Sequence, residues 1–118
     1  MSEPSEMQEL TRQIEEFVQE RDWVQFHSPK NLSMALTVEA SELLEIFQWM
    51  SERESLAPDS ATREKISDEL ADVFIYAIQL CQTLDIDLLE ATRSKMVKNA
   101  EKYPVEKAKG TAKKYDEY

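Results

Sequence analysis

Apolar residues recur at helical intervals along most of the chain. Leu10, Ile14, Phe17 and Val18 make one side of a first helix over about Glu6–Asp22. Leu36, Leu43, Ile46, Phe47 and Met50 form a stripe on a second, over about Leu32–Met50. Ile66, Leu70, Val73, Ala77 and Leu80 do the same on a third, which Asp59 or Ser60 can cap and which runs to about Leu84. Asp87, followed three residues later by Glu90, reads as a capping box that opens a fourth helix. Pro104 should stop that helix, because the residue before a proline is pushed out of helical geometry. Between the first two helices, WVQFHSPKN reads as a loop, with Pro29 as breaker and Asn31 as N-cap. SERESLAPDS is a polar linker between the second and third. Short connections between helices of these lengths predict an all-α fold, an antiparallel four-helix bundle. We expect a single domain over 1–118, with its core at about 6–103 and a basic tail at 104–118.

Composition agrees. One Gly and four Pro supply little of the turn chemistry that a β-rich chain needs. No run of 18 apolar residues marks a membrane span. The opening MSEPSEMQEL is acidic and polar, unlike a secretory signal, and a lone cysteine fits a reducing cytoplasm. That residue, Cys81, falls on an apolar helical face and reads as a small buried hydrophobe. A net charge of −10 argues against duplex nucleic acid as a partner. The charge is uneven, however. Residues 1–92 carry six Lys/Arg against twenty Asp/Glu, and residues 93–118 carry eight against four.

The acids are placed unexpectedly. Glu39 sits within the apolar stripe of the second helix, and Glu69 and Asp72 lie along the margin of the third. Glu39 and Glu42 are three apart, as are Glu69 and Asp72, so each pair projects from one side of its helix, about 60° apart. Two such clamps on consecutive helices can be brought together by antiparallel packing. Four half-buried carboxylates would then repel one another, and desolvation would penalise their charged forms. A divalent cation resolves the conflict, and oxygen-only donors select a hard ion, Mg²⁺ or Mn²⁺. A di-iron bundle would need Glu-x-x-His motifs, and the one histidine, His27, lies in the loop before the second helix. The plainer alternative is a solvated helix margin.

Mg²⁺ held by carboxylates keeps positions open for water and phosphate oxygens. The cations for phosphates are available in the basic segment, where Lys95, Lys98 and Lys102 share a helical face and Asn99 adds a neutral donor. Those lysines serve equally well as complements to the helix dipole and as solubilising groups. There is no glycine-rich phosphate loop, since the only glycine is Gly110. Trp23, Phe26, His27, Trp49 and Tyr76 are candidates to hold a base by stacking and edge hydrogen bonds, or to pack the core.

Taken in order, ERDWVQFHSPKNL, EASELLEIFQWM, DELADVFIY and SKMVKNAEKYP resemble the MazG-type all-α nucleotide pyrophosphohydrolases, and most of all their dCTP pyrophosphatase branch. The family's E-x-x-E and E-x-x-D motifs match Glu39-Ala40-Ser41-Glu42 and Glu69-Leu70-Ala71-Asp72, and the resemblance runs from about Thr11 to Tyr115. It implies Mg²⁺-dependent hydrolysis of a nucleoside triphosphate, dCTP or a modified pyrimidine nucleotide, to monophosphate and pyrophosphate. It implies a homo-oligomer, dimer or tetramer, with sites completed across subunits. Glu39, Glu42, Glu69 and Asp72 match the metal-binding acids, and Glu39 or Glu42 would activate water. Trp23, His27, Trp49 and Tyr76 match positions around the base, and Lys95 and Asn99 match positions near the phosphates. Some relatives place a histidine on the first helix facing the base, where this chain has Ile14, so the choice among pyrimidines stays open. Two other classes of function fit the same residues: a non-catalytic helical dimerisation module, and a regulator that binds nucleotides without turning them over.

Overall fold

The computed structural model describes residues 3–118, and the described residues form helices and turns without a strand. They divide into two compact units, one ending at Asp85 and one spanning Ile86–Tyr118.

The first unit contains α1 (Glu6–Glu20), α2 (Pro29–Phe47), the single-turn α3 (Glu52–Ser55) and α4 (Ser60–Leu84). Ser5 begins α1 with a full capping box: its side chain accepts from the Gln8 backbone, and the Gln8 side chain returns the bond to the Ser5 amide. The chain turns after α1 through Asp22, at φ 54°, and α4 ends on Asp85, also at φ 54°. With one glycine in the whole sequence, these left-handed turns fall to aspartate, whose short polar side chain tolerates the conformation better than most.

The start of α2 departs from the sequence expectation. The helix begins at Pro29, and its cap is Ser28, whose hydroxyl accepts from the Asn31 amide at 3.1 Å. Proline at the first helical position loses nothing, because that N–H would have no helical partner in any case. Asn31 therefore sits inside the first turn, where its side chain donates to the Phe26 carbonyl at 2.9 Å and ties down the preceding 3₁₀ turn, Val24–Phe26. The polar linker also holds more order than expected. Ser51 and Glu54 form a capping box for α3, and Asp59 then caps α4 through the Thr62 amide at 2.8 Å.

α2 packs mainly on α4, and α1 packs on α4 as well. The α2–α4 pair is antiparallel: Ile46 shares a recess with Lys65, whereas Leu32 shares a cavity with Gln79 and Thr83. Among the described residues the buried apolar centre is Ile14 and Val18 from α1, Leu32 from α2 and Ile78 from α4. Gln82 fastens α4 to α1, its amide donating to the Thr11 carbonyl at 3.4 Å. Much apolar surface is left outside this centre, including Val38, Leu44, Leu70 and Phe74. Cys81 is half-buried on α4.

The second unit contains α5 (Leu88–Lys102) and the short α6 (Val105–Ala108). Asp87 caps α5 through the Glu90 amide, and α5 stops at Lys102, two residues before Pro104. The tail, which looked weakly patterned in sequence, is gathered by aromatic contacts. Tyr103 meets Tyr115 and Tyr118 edge-on at 6.0 and 6.2 Å, and the Lys102 ammonium lies 4.9 Å from the centre of the Tyr115 ring. Among the described residues no helix is long and apolar enough to cross a membrane.

Candidate functional site

Antiparallel packing of α2 on α4 brings the two acidic motifs together. One carboxylate oxygen each from Glu39, Glu69 and Asp72 lie within 4.8 Å of one another, and all three residues are half-buried. Oε2 of Glu39 and Oε2 of Glu69 are shielded from solvent, and no group among the described residues donates to either. Burial is the main influence on Glu39. Together with the close Glu42 and Glu69 side chains and repulsion from Glu42 and Asp72, it lifts the Glu39 carboxyl from 4.5 to about 7. Burial, followed by the charges of Glu39, Asp72 and Glu42, also raises the Tyr76 phenol. Unpaired carboxylate oxygens that converge in a partly dry setting are what a divalent cation neutralises. Three converging hard oxygen donors, with an orphaned buried oxygen on each of Glu39 and Glu69, fit a metal ion, and the cluster can hold one. Glu42 stands next to Glu39 outside the three converging oxygens. It is exposed and borders a recess shared with Lys65 and Asp68.

A cavity of about 370 Å³ opens beside the cluster, between α1, the 23–27 turn and α4. Asp72 lines it at the acidic end, and Trp23, His27, Tyr76 and Phe17 supply ring surfaces. Trp23 is fixed edge-on to Phe17 at 5.8 Å and to His27 at 6.5 Å. The dimensions suit a flat heteroaromatic group, and Asp72 makes the metal-competent cluster continuous with the aromatic wall.

A family model for MazG-like proteins matches residues 34–118. The chain belongs to the MazG-like family. It is 42% identical over 111 residues to dCTP pyrophosphatase 1 of Mus musculus, a match that takes in 92% of this chain and 65% of the mouse protein. The human protein of the same name is 40% identical over 113 residues, covering 94% of this chain and 66% of that one. The chain thus spans about two thirds of the length of these relatives. Its fold is similar to that of a crystallised pyrophosphatase from Archaeoglobus fulgidus, with a TM-score of 0.82 and 39% identity over 88% of this chain and 97% of that one.

Of the residues singled out in sequence, the structure gathers Glu39, Glu69 and Asp72 into the cluster and Trp23, His27 and Tyr76 into the cavity wall. Trp49 does not reach that wall within one chain. It follows the end of α2 and is 89% exposed. Phe26, also considered for the base, is exposed in the 3₁₀ turn. Lys95 and Asn99 lie on α5 in the second unit, Lys95 exposed and Asn99 half-buried.

Two residues escaped the sequence reading. Lys65 places a cation in the recess with Glu42 and Glu69, although the basic segment was the expected source of positive charge. Gln79 lines the aromatic cavity. A signal for it existed, because Glu69, Asp72, Tyr76 and Gln79 recur at three- and four-residue intervals along one side of α4.

Proposed function

We propose that the chain is a Mg²⁺-dependent nucleoside triphosphate pyrophosphohydrolase. It would convert dCTP or a related pyrimidine nucleotide to its monophosphate and pyrophosphate. One observation carries this reading: Asp72 belongs both to the three-carboxylate cluster and to the wall of the aromatic cavity. A bound triphosphate would therefore lay its base among Trp23, His27 and Tyr76 with its phosphates towards the acids. The family membership and the names of the relatives support the same class of reaction.

Glu39, Glu69 and Asp72 would hold the cation, with Glu42 beside them. Mg²⁺, when bound, neutralises charge on phosphate oxygens. Glu39 or Glu42 orients the attacking water and takes its proton. Glu42 is the freer of the two, since its carboxylate is outside the converging set. The new bond joins water oxygen to phosphorus, and the anhydride linking the α- and β-phosphates breaks to release pyrophosphate. Lys95 and Asn99 would meet the phosphates, and a hydrolytic step between packed helices gains from fixed geometry and scarce water. We take the whole of 1–118 as one MazG-like domain, an antiparallel four-helix bundle. The family match, which runs through both units, supports this. Exposed Val38, Leu44 and Leu70, together with the bare Trp49, support a homo-oligomer, dimer or tetramer, in which a second copy covers α2 and α4 and Trp49 completes a site. A reducing cytoplasm suits the single cysteine.

The test is pyrophosphate release from a panel of dNTPs with Mg²⁺ and with EDTA. We expect release from dCTP that EDTA abolishes. Nucleotide-dependent thermal stabilisation without release would replace this reading with a binding regulator. Neither effect with any triphosphate would leave a helical interaction module.

A further inference from the structure

The stripe that carries the acids on α4 continues through Tyr76 and ends in an amide. Gln79 is 8% exposed, the one buried polar residue among those described. Its Oε1 is cut off from solvent and receives no hydrogen bond from the described residues. Leucine or methionine would occupy nearly the same volume without leaving a polar atom unsatisfied, so packing alone gives no account of an amide here. Gln79 lines the aromatic cavity with Trp23, His27 and Tyr76, and it also lines a second cavity of about 520 Å³ beside Leu32. It lies seven positions after Asp72, about 10 Å along a helix axis. Tyr76 lies between them. The spacing follows a nucleotide from its phosphates, past a stacked ring, to the far edge of the base.

We propose that Gln79 determines base specificity, with its Oε1 accepting a hydrogen bond from the 4-amino group of a cytosine-type base seated in this cavity. An unpartnered acceptor calls for a donor, and cytosine presents an N–H there, whereas uracil and thymine present a carbonyl oxygen. The inference rests on the nucleotide reading given above and adds to it the group that reads the base. Ile14, buried on α1, lines the same cavity and offers no hydrogen bond of its own, and the other polar wall residues off α4, Gln13 and His27, are exposed and half-buried, whereas Gln79 is buried.

The experiment compares kcat/KM for pyrophosphate release from dCTP and from the 2-pyrimidinone deoxynucleoside triphosphate, which keeps the ring and lacks the 4-amino group. Wild type, Gln79→Leu and Gln79→Met are measured side by side, the methionine variant serving if the leucine variant fails to fold. Wild type should favour dCTP by roughly 10- to 100-fold. Both variants should lose that preference to within roughly threefold, through a fall in kcat/KM for dCTP larger than any change with the analogue. Their metal-free melting temperatures should equal or exceed the wild-type value, since an unsatisfied buried oxygen has been removed. A wild type indifferent to the 4-amino group, variants that keep the preference, or an equal loss with both nucleotides would each overturn the proposal. If no triphosphate is hydrolysed, the reaction assignment fails by itself. The same ratio is then read from nucleotide dissociation constants, and absence of binding as well would remove both.

Discussion

Replacing Glu39 by glutamine removes one charge from the acidic cluster and keeps the shape of the side chain. In the folded protein the Glu39 carboxyl is raised from 4.5 to about 7, first by burial and then by its carboxylate neighbours. The folded state therefore holds this proton more tightly than the unfolded chain does. The resulting stabilisation is complete below about pH 4.5 and is lost as pH rises through about 7. Each tenfold difference in proton affinity is worth about 1.4 kcal/mol, which puts a ceiling of about 3 kcal/mol on the loss. Glu39 is half-buried rather than sealed, and solvent screening reduces the expected loss to about 1–2 kcal/mol. For a chain of this size that is about 4–8 °C in Tm. Thermal melts in EDTA between pH 5 and pH 8 measure it. Wild type should lose that much stability over the interval relative to Glu39→Gln, and at pH 8 the variant should be as stable as wild type or more so. Mg²⁺ at a hundredfold excess over its dissociation constant should return about 2.7 kcal/mol to wild type and much less to the variant. The variant should also be inactive. Parallel pH profiles for the two proteins, or a destabilised Glu39→Gln at pH 8, would refute the convergence of charge on which the reasoning depends.

Trp49→Ala should leave the metal-free Tm of an isolated chain nearly unchanged, since the side chain is 89% exposed. It should weaken nucleotide binding by about 1–3 kcal/mol if the indole stacks on a base in the assembled protein, which calorimetry reads directly. Neutralising Lys95 and Lys98 together should raise KM for triphosphates with helical content by circular dichroism unaltered, and unchanged kinetics would reassign both to solubility. Leu44→Glu should lower the mass measured by light scattering, because it puts a charge on the apolar surface that we assign to a second copy. Ser28→Ala should cost about 1 kcal/mol in denaturant melts through loss of the α2 cap.

Helix existence was legible because each long helix carries an apolar stripe, and the caps at Asp59 and Asp87 were legible because a side-chain oxygen three residues before a free amide is a local signal. The start of α2 was misread for an equally local reason. Pro29 can either break a helix or open one, and only the Ser28 hydroxyl bonding to the Asn31 amide decides. The pairing of Glu39 with Glu69 and Asp72 followed from spacing and from the short linker. Which of four acids converge did not follow, because it depends on the rotation of α2 against α4. The structure turns Glu39 inward and leaves Glu42 at the edge. The exposure of Trp49 was hidden for a related reason. An aromatic residue at the end of a buried-looking stripe has the same spacing whether its own chain covers it or leaves it bare.

The buried side-chain oxygens that lack a donor among the described residues belong to Glu39, Glu69 and Gln79. Most buried polar atoms in folded proteins are satisfied, so orphans that gather in one region call for a reason. Two of these face the acidic cluster, and the third lies farther along the same side of α4, with Asp72 and Tyr76 between. Scattered orphans would be ordinary imperfections of packing. Here Glu69 and Gln79 share α4 and Glu39 meets Glu69 from α2, so the three describe a row of acceptors waiting for positive or hydrogen-bearing groups: a cation at one end and a base edge at the other. α4 suits this task because its rise per residue fixes the interval between the two ends, and Ile78, 2% exposed on its inner side, anchors it against the core. The metal-free, nucleotide-free chain bears the cost of that row in stability. The cost is recovered only when both ends are filled, so Mg²⁺ and nucleotide together should stabilise the protein more than either does alone.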